Sequence, residues 1–246
     1  MNSQRAKKSV IERVRPFWIV ITATLLAVIM LGFYAITWPG FYGRHIAVTG
    51  VQLVSKEEIL AKAAVPTQKN LWLQNMRAVA LRLESIPYVK KVAIHRSLPA
   101  NLWINVTERA PSAVVAGAAG TALIDADGRV LETTGPFPFD LPRLYIRSTE
   151  HFIAGHFIRD RRIARMQKDY DVLASDKLAV HAIHLDVHGE LSAQLQNGIL
   201  LKLGEDGDLS GKAALVQPIL HQIEGKIERV TALDLRAPKT PVVLYK

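Results

Sequence analysis

The chain has 246 residues, with 31 Lys and Arg against 22 Asp and Glu for a formal charge of +9, and it contains no cysteine. The missing cysteine excludes disulfides, thiolate metal sites and a cysteine nucleophile. The positive charge divides into a basic first fifteen residues, at +4, and a mildly basic remainder, at +5, and no run in that remainder has the clustered pattern of a nucleic-acid patch.

Residues 16–43 carry no charged side chain. The part from Phe17 to Trp38 makes a helix of about 33 Å at 1.5 Å per residue, enough for a hydrocarbon core of roughly 30 Å. Trp18 at one end and Tyr34, Trp38 and Tyr42 at the other sit where amphipathic rings favour the headgroup region, and Pro39-Gly40 ends the helix. A cleaved signal peptide is the rival, but this apolar core exceeds the usual 7 to 15 residues of such a segment. Arg5, Lys7, Lys8, Arg13 and Arg15 precede the span, against Arg44 and Lys56 soon after it, so the tail (1–15) is expected in the cytoplasm and everything after the span (16–43) outside it. The basic tail itself suits anionic lipid.

Beyond the membrane, residues 44–51 alternate as a strand closed by Gly50, and Ser55 with Glu58 forms a capping-box signature for a short helix with Ile59, Leu60 and Ala63 on its apolar face. A loop containing Pro66 follows. Asn75 then caps a helix whose stripe is Met76, Val79, Ala80, Leu83 and Ile86, ended by Pro87. Val92 and Ile94 mark a strand, residues 97–100 a turn, and Leu102, Ile104 and Val106 a returning strand. The order strand, helix, helix, strand, strand predicts two amphipathic helices on one face of a three-stranded sheet.

Val48-x-Gly50, Asn70-Leu71-Trp72, Ile86-Pro87-Tyr88-Val89, Arg96-x-x-Pro99 and Thr107-Glu108-Arg109-x-Pro111 together, directly after an N-in anchor, resemble the POTRA domain of FtsQ/DivIB bacterial division proteins. Read as side chains alone, Asn70, Pro87 and Pro99 cap or terminate elements, and Glu108 and Arg109 form a solvated ion pair.

Residues 113–116 read as a short strand, and residues 123–131 as a hairpin around Asp127-Gly128, in which Asp125 and Asp127 are turn acids rather than catalytic carboxylates. The proline-rich stretch 135–142, including Pro138, is a rigid corner, and its Leu141-Pro142 is similar to a step in the same family. Residues 158–173 form an amphipathic helix with Ile158, Ile163, Met166, Tyr170 and Leu173 inward. Arg159, Asp160, Arg161, Arg162, Arg165, Lys168 and Asp169 make its solvated outer face.

Residues 180–187 alternate as a strand, with Ile183, Leu185 and Val187 on one face and His184, Asp186 and His188 on the other. Same-face neighbours lie near 7 Å apart, long for shared coordination, so the second set reads as a polar outer face and no metal is assigned. Residues 191–196 run back, and Asn197-Gly198 turns the chain into residues 199–203, giving a meander of at least three strands. Gly211-Lys212 is no phosphate loop, because Asp206 and Ala213 occupy the positions where that motif needs Gly and Ser or Thr. Residues 214–223 form a helix kinked or delayed by Pro218, residues 229–236 a strand, and Pro238 and Pro241 bracket a break before residues 242–245, all suited to a sheet edge.

The fold class is therefore α+β: a single N-terminal transmembrane helix, a POTRA domain (44–111) of order β-α-α-β-β, and a mostly antiparallel β-domain (112–246) with two flanking helices. Val230-Thr231-Ala232-Leu233-Asp234-Leu235-Arg236 is similar to the Val-Asp-Leu-Arg terminal strand of FtsQ proteins. The resemblance implies that this edge receives a strand of the partner FtsB, for which Val230, Ala232, Leu233, Asp234, Leu235 and Arg236 are the expected contacts, with Arg236 expected to meet a carboxylate of the incoming strand. The family often has an aromatic residue after that arginine. This chain has Ala237 there, and Tyr245 is the substitute. The resemblance further implies FtsL and other division proteins of the membrane as partners, POTRA contacts with earlier recruits, and action at the division septum. No cofactor, no nucleic acid and no small-molecule substrate is expected. For the POTRA module the resemblance singles out Gly50, Asn70, Pro87, Val89, Arg96, Pro99, Glu108 and Arg109. An anchored enzyme is disfavoured by the lack of Gly-x-Ser-x-Gly, His-Glu-x-x-His or cysteine. The alternative function, a POTRA-bearing periplasmic chaperone or outer-membrane assembly component, calls for tandem POTRA modules or a long barrel.

Overall fold

The structure is a computed structural model that describes residues 4–43, 45–137, 140–147, 151–186, 188–205 and 207–246, with the side chains of residues 4–16 outside that description. Arg44, Pro138, Val187 and Asp206, used in the sequence reading, lie outside the described residues, as do the side chains of the basic tail.

The chain forms two compact units, Met1–Leu83 with Lys91–Val106, and Glu84–Lys90 with Thr107–Lys246. The first begins with α1 (Gln4–Thr37), of which Phe17–Thr37 is the one stretch among the described residues long and apolar enough to cross a membrane, and none of it is buried. At 21 residues it reaches about 31 Å. It stops where Pro39, which has no N–H to continue the ladder, opens a single 3-10 turn, Pro39–Phe41.

Three strands follow the sequence pattern: β1 (His45–Thr49), β2 (Val89–Ser97) and β3 (Asn101–Glu108), in the order β1-β3-β2, with β1 parallel to β3. Between them lie α2 (Lys56–Ala63) and α3 (Met76–Glu84). Ser55 caps α2 by accepting the Glu58 N–H at 3.1 Å, and Asn75 caps α3 by accepting the Ala78 N–H at 3.1 Å. Ile59 and Ala63 of α2, Val79 and Leu83 of α3, and Leu102, Ile104 and Val106 of β3 are all buried, the inward set of each element. Leu60, expected on the inner face of α2, is instead exposed: one residue on from buried Ile59, it is turned about 100° round the helix from it.

The second unit is built on a nine-stranded sheet. Its strands are β4 (Pro111–Gly117), β5 (Gly120–Asp125), β6 (Val130–Glu132), β7 (Arg143–Tyr145), β8 (Val180–Leu185), β9 (Leu191–Leu195), β10 (Leu200–Gly204), β11 (Val230–Asp234) and β12 (Val242–Tyr245). Their order is β12-β11-β10-β9-β8-β7-β4-β5-β6. Most neighbours are antiparallel. The pairs β4 with β7, β7 with β8, and β10 with β11 are parallel. Parallel neighbours need long crossovers, and α4 (Arg161–Ser175) and α5 (Leu209–Gln222) supply two of them. Ile163, Met166 and Leu173 of α4 and Ala213, Val216 and Leu220 of α5 are buried in one cluster with Leu144, Ile183, Ala193, Leu201 and Leu233, which places both helices on one face of the sheet.

Several local readings are corrected. α4 starts at Arg161, because Asp160 is its N-cap, accepting the Arg162 N–H at 3.0 Å, so Ile158 precedes the helix. Asp169 is buried rather than solvated, 3.6 Å from Arg165 one turn earlier. α5 starts at Leu209, capped by Asp208, and passes through Pro218 unbroken. Pro218 and Ala214, four residues before it, both face solvent, where water can take up the carbonyl that proline leaves unbonded. The strand β7 is too short to show an alternation in sequence.

Candidate partner-binding edge

A sheet offers a template for another chain only where a strand keeps one side unpaired. The two terminal strands here are β6 and β12. At β6 the chain covers its own edge: the Val130 N–H donates to the His156 carbonyl at 2.8 Å, the Gly155 N–H to the Val130 carbonyl at 2.8 Å, and the Ile158 N–H to the Gly128 carbonyl at 3.0 Å. At β12 the described residues contain no such cover.

The strand expected to be that edge, residues 230–236, is therefore one position too far in. β11 is paired on both sides, parallel to β10 and antiparallel to β12, and Val230, Ala232, Leu233 and Leu235 are buried. Leu233, fully buried beneath the helices, presents nothing to a partner. The reason is the length of the tail: residues 235–241 are enough to turn, and Pro241 then starts a further strand. Of the residues assigned to the edge, Tyr245 alone belongs to the terminal strand.

The orientation of β12 follows from two bonds. The Lys246 N–H donates to the Arg229 carbonyl at 2.7 Å, and the Leu244 carbonyl accepts the Thr231 hydroxyl at 3.1 Å. Main-chain groups alternate sides along an antiparallel strand, so Val242 and Leu244 turn theirs toward β11, while Val243 and Tyr245 turn theirs to the free side. The side chains of Val242, Leu244 and Tyr245 are exposed and Val243 packs against the core. Edges are commonly blunted by charge or proline within the strand. Here Pro241 and Lys246 flank the strand, and its four residues are apolar or aromatic.

On the face opposite the helices, cross-strand neighbours form a row running from Val242 through Asp234, Lys202, Ser192 and His184 to Tyr145. Arg236 grips Asp234, its Nε 3.0 Å from Oδ1 and its Nη2 2.7 Å from Oδ2. That fork holds the Asp234 carboxyl below its usual range and raises the guanidinium. The Arg236 fork is thus already bonded to its own chain, where a carboxylate on the partner was expected. His184 stacks on Tyr145, with ring centroids 4.4 Å apart, and burial pushes its imidazole pKa down. Asp186 is occupied by the His188 and Glu190 N–H groups at 2.9 and 2.8 Å, and among the described residues no group of three His, Cys, Asp or Glu side chains converges as a metal site.

The POTRA motif residues serve the fold. Gly50 has φ +82, and a Cβ there would stand 2.1 Å from the Val106 carbonyl oxygen. Asn70 accepts the Trp72 N–H at 2.9 Å and donates to the Ile36 carbonyl at 2.9 Å. Arg96 stacks over Trp72 and donates to the Leu71 and Trp72 carbonyls at 3.1 Å, while the Pro99 carbonyl accepts the Trp72 indole N–H at 3.0 Å. Asn70, Arg96 and Pro99 are thus gathered around one tryptophan. In the second unit, Pro87 follows the last turn of α3 and Val89 is fully buried. Arg109 corrects the expectation of a solvated pair with Glu108: it is buried, and it bonds Asp125 and Asp127. Sequence spacing gave no sign of this, since the partners lie sixteen and eighteen residues away.

Comparison with known families agrees with this architecture. Residues 42–109 match the POTRA domain, FtsQ-type, and residues 113–236 match the family described as Cell division protein FtsQ/DivIB, C-terminal. Among similar proteins, the cell division protein FtsQ of Corynebacterium glutamicum is 28% identical over 111 residues, 45% of this chain and 50% of that protein. That of Mycolicibacterium smegmatis is 33% identical over 133 residues, 53% of this chain and 40% of that protein. That of Streptomyces bingchenggensis is 24% identical over 233 residues, 90% of this chain and 84% of that protein. The chain thus spans half or less of the corynebacterial and mycobacterial relatives. With the C-terminal family matched over residues 113–236, half of the chain, the chain belongs to the FtsQ/DivIB family of cell division proteins.

Proposed function

We propose that the chain is a bitopic scaffold of the division machinery, with its N-terminus in the cytoplasm and its POTRA and β-domains in the periplasm. It recruits and links division proteins at the septum by recognition rather than catalysis. The free side of β12 takes an extended segment of an FtsB-type partner as a tenth strand, FtsL accompanies that partner, and the POTRA module meets other division proteins of the membrane. The observation that carries this reading is the unequal treatment of the two sheet ends: one is capped by residues 155–158, while β12 presents Val243 and Tyr245 main-chain groups beside exposed apolar side chains. Main-chain bonds supply affinity, and Val242, Leu244 and Tyr245 supply register. The basic tail supports the orientation.

The test is binding of an FtsB-type periplasmic segment to the full chain in detergent, beside Val243→Pro. Proline at 243 removes an N–H that points away from β11 and keeps an apolar side chain, so circular dichroism should be unchanged. Binding weakened about tenfold or more supports strand addition, since one main-chain bond and the approach of its neighbour are lost. Equal binding by a folded variant refutes it.

A further inference from the structure

The membrane end of the first unit carries apolar side chains that no element among the described residues of that unit covers. Leu73, in the 3-10 turn Leu71–Leu73, is 66% exposed, and Leu98, in the turn between β2 and β3, is 70% exposed. The two turns are fastened together through the Trp72 indole and the Pro99 carbonyl, 3.0 Å apart. Between them and the end of α1 lies a pocket lined by Ala35, Ile36, Phe41, Trp72, Leu73 and Leu98.

The height of this pocket is fixed by the helix. The span Phe17–Thr37 reaches about 31 Å, so a hydrocarbon core of roughly 30 Å uses it to its last turn. Ile36 belongs to that turn, and its carbonyl accepts the Asn70 side-chain N–H at 2.9 Å, while Tyr42 and Asn70 form a main-chain bridge. The turns bearing Leu73 and Leu98 are thus held beside a residue that lies in lipid.

We propose that the POTRA module is seated in the membrane surface, with Leu73 and Leu98 inserted among the lipid acyl chains at the C-terminal end of the span and Trp72 at the headgroup level. The occupant is lipid because one wall of the pocket, Ala35 and Ile36, is the spanning helix itself. The module then stands at a fixed height instead of swinging on a linker. The proposal rests on α1 crossing a bilayer and is independent of any partner at β12.

The chain has no cysteine, so single labels are readily placed. Nitroxides are attached at Leu73→Cys and Leu98→Cys in the full chain reconstituted in phospholipid nanodiscs. Ile36→Cys serves as the lipid reference, and Leu81→Cys, 61% exposed on α3, as the water reference. Collision rates with oxygen, which partitions into lipid, and with a water-soluble nickel chelate are compared. The expected result is an oxygen-to-nickel ratio at Leu73 and Leu98 several-fold above that at Leu81 and close to that at Ile36. Ratios equal to that at Leu81, with Ile36 in lipid, overturn the seating and leave the span intact. Shielding of Leu73 and Leu98 from both reagents means that protein covers them, and also overturns it. A water-exposed Ile36 overturns the seating, since that residue sets the height of the pocket.

Discussion

Arg109 and Asp125 form an ion pair whose side chains are 9% and 5% exposed, with Nη1 2.5 Å from Oδ2. The other Asp125 oxygen accepts the Asp127 and Arg129 N–H groups at 2.9 and 2.8 Å, so one carboxylate both closes the β5–β6 turn and neutralises a buried guanidinium. Asp127 joins from the solvent side, 3.2 Å from Arg109 and 3.1 Å from Lys90. Lys90, followed by Arg109, holds the Asp127 carboxyl below its ordinary range.

Removing one partner of a buried pair leaves a charge without compensation and costs about 3–5 kcal/mol. Asp125→Ala is expected at the upper end, since it also strands two turn amides, and Arg109→Met toward the lower end. The double variant should cost less than the sum. Urea unfolding of the full chain in detergent measures all three; strict additivity would show that the two side chains act independently.

Tyr88 gives the protein an alkaline limit. Burial, then the hydrogen bond its hydroxyl donates to Glu132 at 3.0 Å, pushes the phenol up to about 12. The folded value lies above the ordinary one, about 10, so the stabilisation is fully present below pH about 10 and is lost as pH rises from there through about 12. Ultraviolet titration of the six tyrosines should show one ionising last. Tyr88→Phe should delete that step, and Glu132→Gln should move it down by removing the neighbouring negative charge.

What the sequence revealed follows from the range of each interaction. The caps by Ser55 and Asn75 and the Asn197-Gly198 hairpin depend on neighbours within four residues, and all three stand in the structure. The span and the motif set sufficed to place the chain in its family. The bonds of Arg109 to Asp125 and of Asn70 to Ile36 join residues sixteen and thirty-four apart, which no periodicity reports. The edge was misplaced for a similar reason. Residues 230–236 and 242–245 both read as strands beside prolines, and only the pairing of Leu233 with Leu201 on one side and Val243 on the other shows which is internal.

Gly50 is the POTRA residue least open to replacement. Alanine there meets two penalties: a left-handed conformation, roughly 1–2 kcal/mol for an L-residue, and a Cβ 2.1 Å from a strand carbonyl that must move. Gly50→Ala is expected to destabilise by more than about 2 kcal/mol, read as a lowered melting temperature in detergent. Gly198→Ala is the control for space, since its φ of +86 matches that of Gly50 and nothing lies within 4 Å of its Cβ position. A loss at Gly50 no larger than at Gly198 would refute the close approach.

Asn70 has two separable tasks, and two substitutions divide them. Its side-chain oxygen caps the Leu71–Leu73 turn, and its amide N–H reaches the Ile36 carbonyl. Asn70→Asp keeps the acceptor for the Trp72 N–H but replaces the donor with an oxygen facing a carbonyl, so the cap survives and the tether to α1 is lost. Asn70→Ala loses both, with a capping cost of about 1 kcal/mol. Hydrogen exchange at the Trp72 amide should therefore quicken in Asn70→Ala and stay slow in Asn70→Asp. Spin labels at Gly32→Cys in the span and His95→Cys on β2 should give a broader distance distribution in both variants than in the parent. A distribution as narrow in Asn70→Asp as in the parent would show that the Asn70 side chain is not needed to fix the module to the helix.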